Sequence, residues 1–180
     1  MTIEERLAAL EHEVQRLKDI EAIKNLKGKY FRCLDSKDWE GLESTFSPNV
    51  TTSYSNGKLV FHGPKEVTEY FAKVMPKTDI TLHQGHTPEI WFESDTVAYA
   101  HWYLQDNLIW VEPDPHAGNQ CQGSAIYTDK YEKVNGEWLI VEIGYIRVYE
   151  EFFKRDNTHM LTANMHMPVK KPGKKPAKKK

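Results

Sequence analysis

The feature that most constrains the fold is a set of four long extended runs in the C-terminal half of the chain. They are predicted strands at residues 80–92, 96–111, 122–134 and 137–149. The last two are separated only by Asn135-Gly136, a dipeptide typical of a two-residue hairpin turn. A polar Pro- and Gly-rich loop at 112–120, long enough to act as a flap, joins the second and third runs. Because short connections join antiparallel neighbours, this half predicts an antiparallel meander.

Helices are predicted before these strands. Apolar residues recur at three- and four-residue steps over residues 3–30, which indicates one long helix or two abutting helices. Thr2 and Glu5 have the spacing of a capping box at its start. The early part of this stripe has charged flanks and no following partner segment, so it is a candidate for packing on another subunit.

Two further helices and a hairpin complete the pattern. A short helix is predicted with Ser36 as its N-cap, and a third helix begins with Pro64 in its first turn. Between them, residues 50–62 predict a hairpin around Asn56-Gly57. The whole order predicts an α+β domain, in which three or four helices on one side of a curved antiparallel sheet enclose an apolar pocket.

Length and composition predict one domain. The chain has 180 residues, 39% of them hydrophobic, which suffices for a single core at residues 1–168. The last residues, 169–180, are nearly all Lys, Pro and Gly, and we expect them to form a disordered tail rather than a binding one. A formal net charge of −2 gives no reason to expect a nucleic-acid partner.

The cysteines and the hydropathy pattern address the compartment. Cys33 and Cys121 lack motif spacing, so we expect two reduced thiols in a cytoplasmic protein. No apolar run reaches transmembrane length, and the N-terminus is acidic, unlike a signal peptide. We therefore expect no membrane partner.

Two charged residues fall on otherwise apolar strand faces. Arg147 continues an apolar row of alternate residues in 139–149, and Asp106 interrupts a similar row in 102–110. Three interpretations are open: the two residues pair with each other, lie at strand ends in water, or line a pocket. The alternation pattern alone does not distinguish them. His83 and His86 fall on opposite faces of one strand without metal-ligand spacing, so no metal site is predicted.

Several longer strings resemble a known family. They are KGKYFRCLD at 27–35, GPKEVTEY at 63–70, HTPEI at 86–90, YTDKYEK at 127–133 and GYIRVYEE at 144–151. Together they resemble the SnoaL-like branch of the NTF2-like superfamily and, within it, the bile acid 7α-dehydratases. The resemblance runs from about residue 2 to residue 166.

The resemblance implies a cone-shaped α+β barrel whose mouth admits a steroid, assembled as a homotrimer. The family's site residues fall on six positions of this chain. The expected catalytic residues are Tyr30, Asp35 and His83, and the expected substrate-binding residues are Tyr54, Asp106 and Arg147. Because this chain's 112–120 loop departs from the family pattern, the resemblance leaves the preferred side chain or conjugate of the substrate open.

The implied reaction is a cofactor-independent elimination by a lyase. Water is lost from the 7-hydroxyl of a 3-oxo-4-ene bile acid, free or as a coenzyme A thioester, giving a 3-oxo-4,6-diene. We expect His83 to act as general base at carbon 6 with Asp35 as its partner. The alternatives are a ketosteroid-isomerase-like enzyme or a 7β-epimer dehydratase on the same fold, a non-catalytic steroid- or bile-acid-binding module, and a structural partner protein.

Overall fold

A computed structural model describes residues 1–156 and 158–165 of the chain. Within these residues the order of elements is α1 (Ile3–Ser36), α2 (Trp39–Glu43), β1 (Phe46–Ser53), α3 (Pro64–Val74), β2 (Ile80–Phe92), β3 (Val97–Ile109), β4 (Asn119–Val134) and β5 (Glu137–Lys154). The predicted 169–180 tail, and the last residues of the predicted domain, lie outside the described residues. No helix in the described part is long and apolar enough to cross a membrane.

The five strands form one sheet in the order β1-β5-β4-β3-β2. Strands β2 to β5 make the predicted antiparallel meander, and Asn135 and Gly136 both have positive φ at the tight turn between β4 and β5. The prediction of a wholly antiparallel sheet was wrong, because β1 pairs in parallel with β5. This pairing spans about ninety residues of sequence, and no local pattern specifies it.

The first helix is single, and its two ends differ. The predicted capping box is present, with the Thr2 side chain accepting from the Glu5 N–H and the Glu5 carboxylate accepting from the Thr2 N–H. Buried residues of α1 begin at Asp19, so the second half of α1 packs on the sheet. The apolar residues before position 18 remain largely exposed. The predicted stripe therefore covers the core only from about Ile23 onward.

Two local predictions were wrong in detail. The N-cap of α2 is Asp38, whose side chain accepts from Gly41 N–H, and Ser36 instead ends α1. The hairpin at 50–62 has only isolated bridges in its second arm, closing between Tyr54 and Leu59, while β1 takes β5 as its main partner. Side-chain hydrogen bonds and long-range pairing overrode the local turn signals at both places.

The alternation along β5 also differs from the prediction. A bulge opposite Lys130/Tyr131 shifts the register, so Ile140 and Ile143 are both buried although their numbers differ in parity. The predicted single face from Leu139 to Arg147 is therefore split. Arg147 still lies on the concave side, because it follows the bulge.

Candidate active site

A cavity of about 140 Å³ lies between α1, α3 and the concave face of the sheet. Its walls are mostly aromatic and aliphatic, with a few polar groups. The lining residues are Tyr30, Leu34, Tyr54, Leu59, Tyr70, Phe71, Val74, Met75, His83, Leu104, Asp106, Leu108, Tyr127, Tyr145 and Arg147. Five of the six predicted site residues line it. The sixth, Asp35, contacts the His83 ring. A larger open groove of about 490 Å³ beside β1 and β5 contains none of the six.

Asp35 and His83 form a close pair at this cavity. The Asp35 Oδ1 atom lies 2.6 Å from His83 Nδ1, and Asp35 Oδ2 accepts the backbone N–H of His83 at 2.8 Å. The two side chains are only 14% and 7% exposed, respectively. An ionised carboxylate can only accept, so in the neutral imidazole Nδ1 carries the proton and Nε2 keeps its lone pair for a ligand. The predicted contact between these residues is present.

The end of α1 explains why an aspartate can stand there. The helix stops in a Schellman motif, in which Asp38 N–H donates to Cys33 O and Lys37 N–H donates to Leu34 O. Asp35 thus lies in the last turn, where the helix carbonyls disfavour an anion. Three donors to the Asp35 carboxylate offset this effect. They are the backbone and ring N–H groups of His83 and the Thr81 hydroxyl, which donates to Asp35 Oδ1 at 2.8 Å.

The two predicted tyrosines also meet. Tyr30 and Tyr54 are almost fully buried, with their hydroxyl oxygens 3.1 Å apart. Burial raises the pKa of both phenols well above the ordinary value, so both keep their protons near neutral pH. Two hydroxyls share one hydrogen bond, which leaves one of their two protons for another acceptor.

Asp106 and Arg147 resolve the ambiguity of the strand faces, because they both pair and line the cavity. Arg147 Nη1 is 2.7 Å from Asp106 Oδ2, and Nη2 is 2.9 Å from Glu150 Oε2. Within the described part of the chain, Asp106 Oδ1 and Arg147 Nε are buried without a hydrogen-bond partner. The pair therefore offers an acceptor and a donor to a polar group.

The sequence reasoning missed a second buried ion pair behind the tyrosines. Lys27 Nζ donates to Asp129 Oδ2 at 2.7 Å, and Tyr131 O–H donates to the same oxygen at 2.7 Å. Burial lowers the pKa of Lys27 and raises that of Asp129. The signal was available, since Lys27 falls between Ile23 and Tyr30 on the inward face of α1.

The other histidine of β2 takes no part in this cluster. His86 is exposed and does not line the cavity, as expected for the opposite face of the strand. Over residues 1–156 and 158–165, no group of three His, Cys, Asp or Glu side chains is arranged to hold a metal ion.

The fold and the cavity define a class of protein, the α+β cones in which helices close a curved sheet over an apolar pocket. The family model for the SnoaL-like domain matches residues 15–143. The chain belongs to the SnoaL-like domain family, which confirms the predicted fold class.

Solved structures agree on the fold. A hexachlorocyclohexane dehydrochlorinase of type 2 is 19% identical, with a TM-score of 0.70 over 83% of this chain and 97% of its own. A Novosphingobium aromaticivorans protein provisionally assigned as a scytalone dehydratase is also 19% identical, with a TM-score of 0.69 over 89% of this chain and 99% of its own. Kfla4162 from Kribbella flavida is 14% identical, with a TM-score of 0.68 over 76% and 95%. At these identities the likeness extends to the fold alone.

Proposed function

We propose that the protein is a lyase that removes water from a 7-hydroxy-3-oxo-4-ene bile acid, the reaction of a bile acid 7α-dehydratase. The observation that carries the proposal is the 2.6 Å contact between Asp35 and His83 at an apolar cavity. An oriented neutral imidazole facing such a cavity can accept a proton from carbon, and a conjugated enone acidifies the proton to be removed.

The elimination uses His83 twice. Nε2 takes a proton from carbon 6, and the electron pair of that C–H bond moves into the enone to give a dienolate. The dienolate then reforms the 3-oxo group, a double bond forms between carbons 6 and 7, and the bond from carbon 7 to its hydroxyl breaks. The imidazolium returns its proton to the leaving hydroxide, which departs as water. Asp35 stabilises the imidazolium between the two steps.

The remaining polar groups suit the substrate's oxygens. A hydroxyl from the Tyr30–Tyr54 pair, placed on the 3-oxo oxygen, would stabilise the dienolate. Asp106 and Arg147 supply an acceptor and a donor, as a second polar end of the ligand requires. Two structural relatives, a dehydrochlorinase and a provisionally assigned dehydratase, are consistent with eliminations on this fold.

The size of the cavity adds a requirement. About 140 Å³ is less than the roughly 300–1,000 Å³ typical of sites for drug-sized ligands. A steroid nucleus therefore enters only if part of the cavity wall moves outward. The proposal predicts that ligand binding is accompanied by such a movement.

The test is incubation of the purified protein with 7α- and 7β-hydroxy-3-oxo-4-ene acids and their coenzyme A thioesters. Absorbance of the conjugated dienone should rise together with a mass loss of one water. Conversion of the 7β epimer alone would make it the 7β dehydratase, and a product of unchanged mass would make it an isomerase. Binding without any conversion would identify a binding module and refute catalysis.

A further inference from the structure

Lys37 and Thr81 extend the hydrogen-bonded chain that begins at the His83 ring. Lys37 Nζ donates to Thr81 Oγ1 at 2.6 Å, and Thr81 Oγ1 donates to Asp35 Oδ1 at 2.8 Å. We propose that Lys37, acting through Thr81, is a positioning residue for the Asp35–His83 pair. This inference rests on the proposed function of that pair.

The direction of the hydrogen bonds follows from the donors present. An ammonium group has three donors and no acceptor, so the Thr81 hydroxyl must accept from Lys37. The single hydroxyl proton of Thr81 is then committed to Asp35. As a result, Asp35 Oδ1 is held as an acceptor, and the His83 ring is fixed with its proton on Nδ1.

The backbone at Lys37 points to the same role. Lys37 has φ 59° and ψ 33°, in the left-handed region, at the helix-ending position that glycine usually occupies. This conformation is unfavourable for a residue with a Cβ. The turn itself therefore does not call for a lysine, and burying its side chain adds a desolvation cost. The residue is only 3% exposed, and its buried ammonium group donates to Thr81.

The charges around Lys37 set a pH range. Burial lowers the pKa of Lys37 to about 8, although Asp35 and Asp79 act in the opposite direction. Asp79 in turn is influenced by Asp114 and His116 of the 112–120 loop. Lys37 is thus charged at neutral pH and loses its charge as the pH rises through about 8. The positioning effect should weaken over that range.

The test compares Lys37→Met, Thr81→Val and Thr81→Ser in the full-length chain. Lys37→Met removes the ammonium group but keeps a side chain of similar length. Thr81→Val removes the hydroxyl but keeps the shape of threonine, and Thr81→Ser keeps the hydroxyl. We expect the first two to lower kcat for the 7-hydroxy-3-oxo-4-ene about 10- to 100-fold with little change in KM, because the base is misplaced. Thr81→Ser should restore most of the rate. In the wild type, kcat should decrease as the pH rises through about 8, and this decrease should be absent in Lys37→Met.

A spectroscopic readout keeps the inference independent of turnover. The Nδ1 proton of His83 should give a low-field proton NMR signal, which should move or exchange faster in Lys37→Met and Thr81→Val but not in Thr81→Ser. Unchanged kcat and an unmoved signal in Lys37→Met would overturn the inference. If the wild-type protein converts no steroid, the proposed function fails and the NMR comparison still decides the positioning role.

The exposed start of α1 supports a separate inference. Ile3, Leu7, Leu10, Val14 and Leu17, here called the N-terminal seam, are 80%, 55%, 62%, 48% and 61% exposed. Their steps alternate between four and three residues, which is the heptad spacing of a coiled-coil seam rather than of a helix packed on a sheet. We infer that the N-terminal seam packs in parallel, in the same register, against the seam of another copy of this chain.

The charges beside the N-terminal seam favour this occupant and this orientation. In a parallel pair, Arg6 of one copy faces Glu11 of the other, and Glu13 faces Lys18, so each flanking contact joins opposite charges. In an antiparallel pair, Glu11 would face Glu11 and Glu13 would face Glu13. Parallel packing is also compatible with cyclic symmetry.

Disulfide trapping tests the register directly. In a parallel pair the two Leu10 side chains meet, so Leu10→Cys should form a cross-linked dimer under mild oxidation. The matched control is Ala9→Cys, one position away and pointing off the seam, which should stay monomeric on a non-reducing gel. The native Cys33 and Cys121 are buried and should not compete. Absence of the Leu10→Cys cross-link, or equal cross-linking by Ala9→Cys, would contradict the inference.

Discussion

Removal of one member of the buried Lys27–Asp129 pair should strongly destabilise the protein. The Lys27 and Asp129 side chains are 1% and 0% exposed. In Lys27→Met, the Asp129 carboxylate would keep the hydrogen bond from Tyr131, while its Oδ1 already lacks a partner among the described residues. Breaking a buried pair in this way costs about 3–5 kcal/mol. For a chain of this size, this corresponds to a melting temperature about 6–20 °C lower.

The double variant Lys27→Met/Asp129→Leu separates the pair's net contribution from the cost of an orphaned charge. Replacing both members by apolar residues is often near neutral, so the double variant should be more stable than Lys27→Met alone by at least about 2 kcal/mol. Urea unfolding of the wild type, both single variants and the double variant measures this. The reasoning is refuted if Lys27→Met loses less than about 1 kcal/mol, or if the two single effects simply add.

Two further predictions concern the surroundings of the dyad. Burial raises the pKa of Asp79 from 3.8 to about 6, so the folded state binds this proton more tightly than the unfolded state does. The protonated carboxyl therefore contributes to the free energy of unfolding at low pH, and this contribution is lost as the pH rises from about 4 through 6. Asp79→Asn should remove this slope when the two proteins are unfolded in urea across that range; an identical slope would contradict the assignment. Gly85→Ala should lower stability by about 1–3 kcal/mol and reduce turnover, because its Cβ would lie 2.6 Å from the Phe31 ring that is parallel to His83. The control Gly28→Ala, whose Cβ meets nothing within 4 Å, should raise the melting temperature without affecting turnover.

The parts of the fold that local signals specify could be predicted from the sequence. The turn at Asn135-Gly136, the start of α3 at Pro64 and the four long strands depend on residues close in sequence, and the structure contains all of them. The parallel pairing of β1 with β5 and the bulge near Tyr131 depend on distant segments. Their energetics come from packing, which periodicity does not encode.

The candidate site divides in the same way. Alternation marked Asp106 and Arg147 as misfits, and the structure pairs them. The meeting of Asp35 with His83 came from family resemblance, since each residue is ordinary in its own segment. Lys37 was not predicted from the sequence. Its left-handed backbone at the end of α1, a position that usually favours glycine, is visible only in the structure.

The central claim is that the His83 imidazole, oriented by Asp35, removes the proton from carbon 6. The most direct measurement is the turnover of a 7α-hydroxy-3-oxo-4-ene by the wild type, His83→Ala and Asp35→Ala, followed by the absorbance of the dienone. We predict rapid conversion by the wild type and rates lowered about a hundred- to ten-thousand-fold in both variants. Conversion by His83→Ala at the wild-type rate would contradict the account.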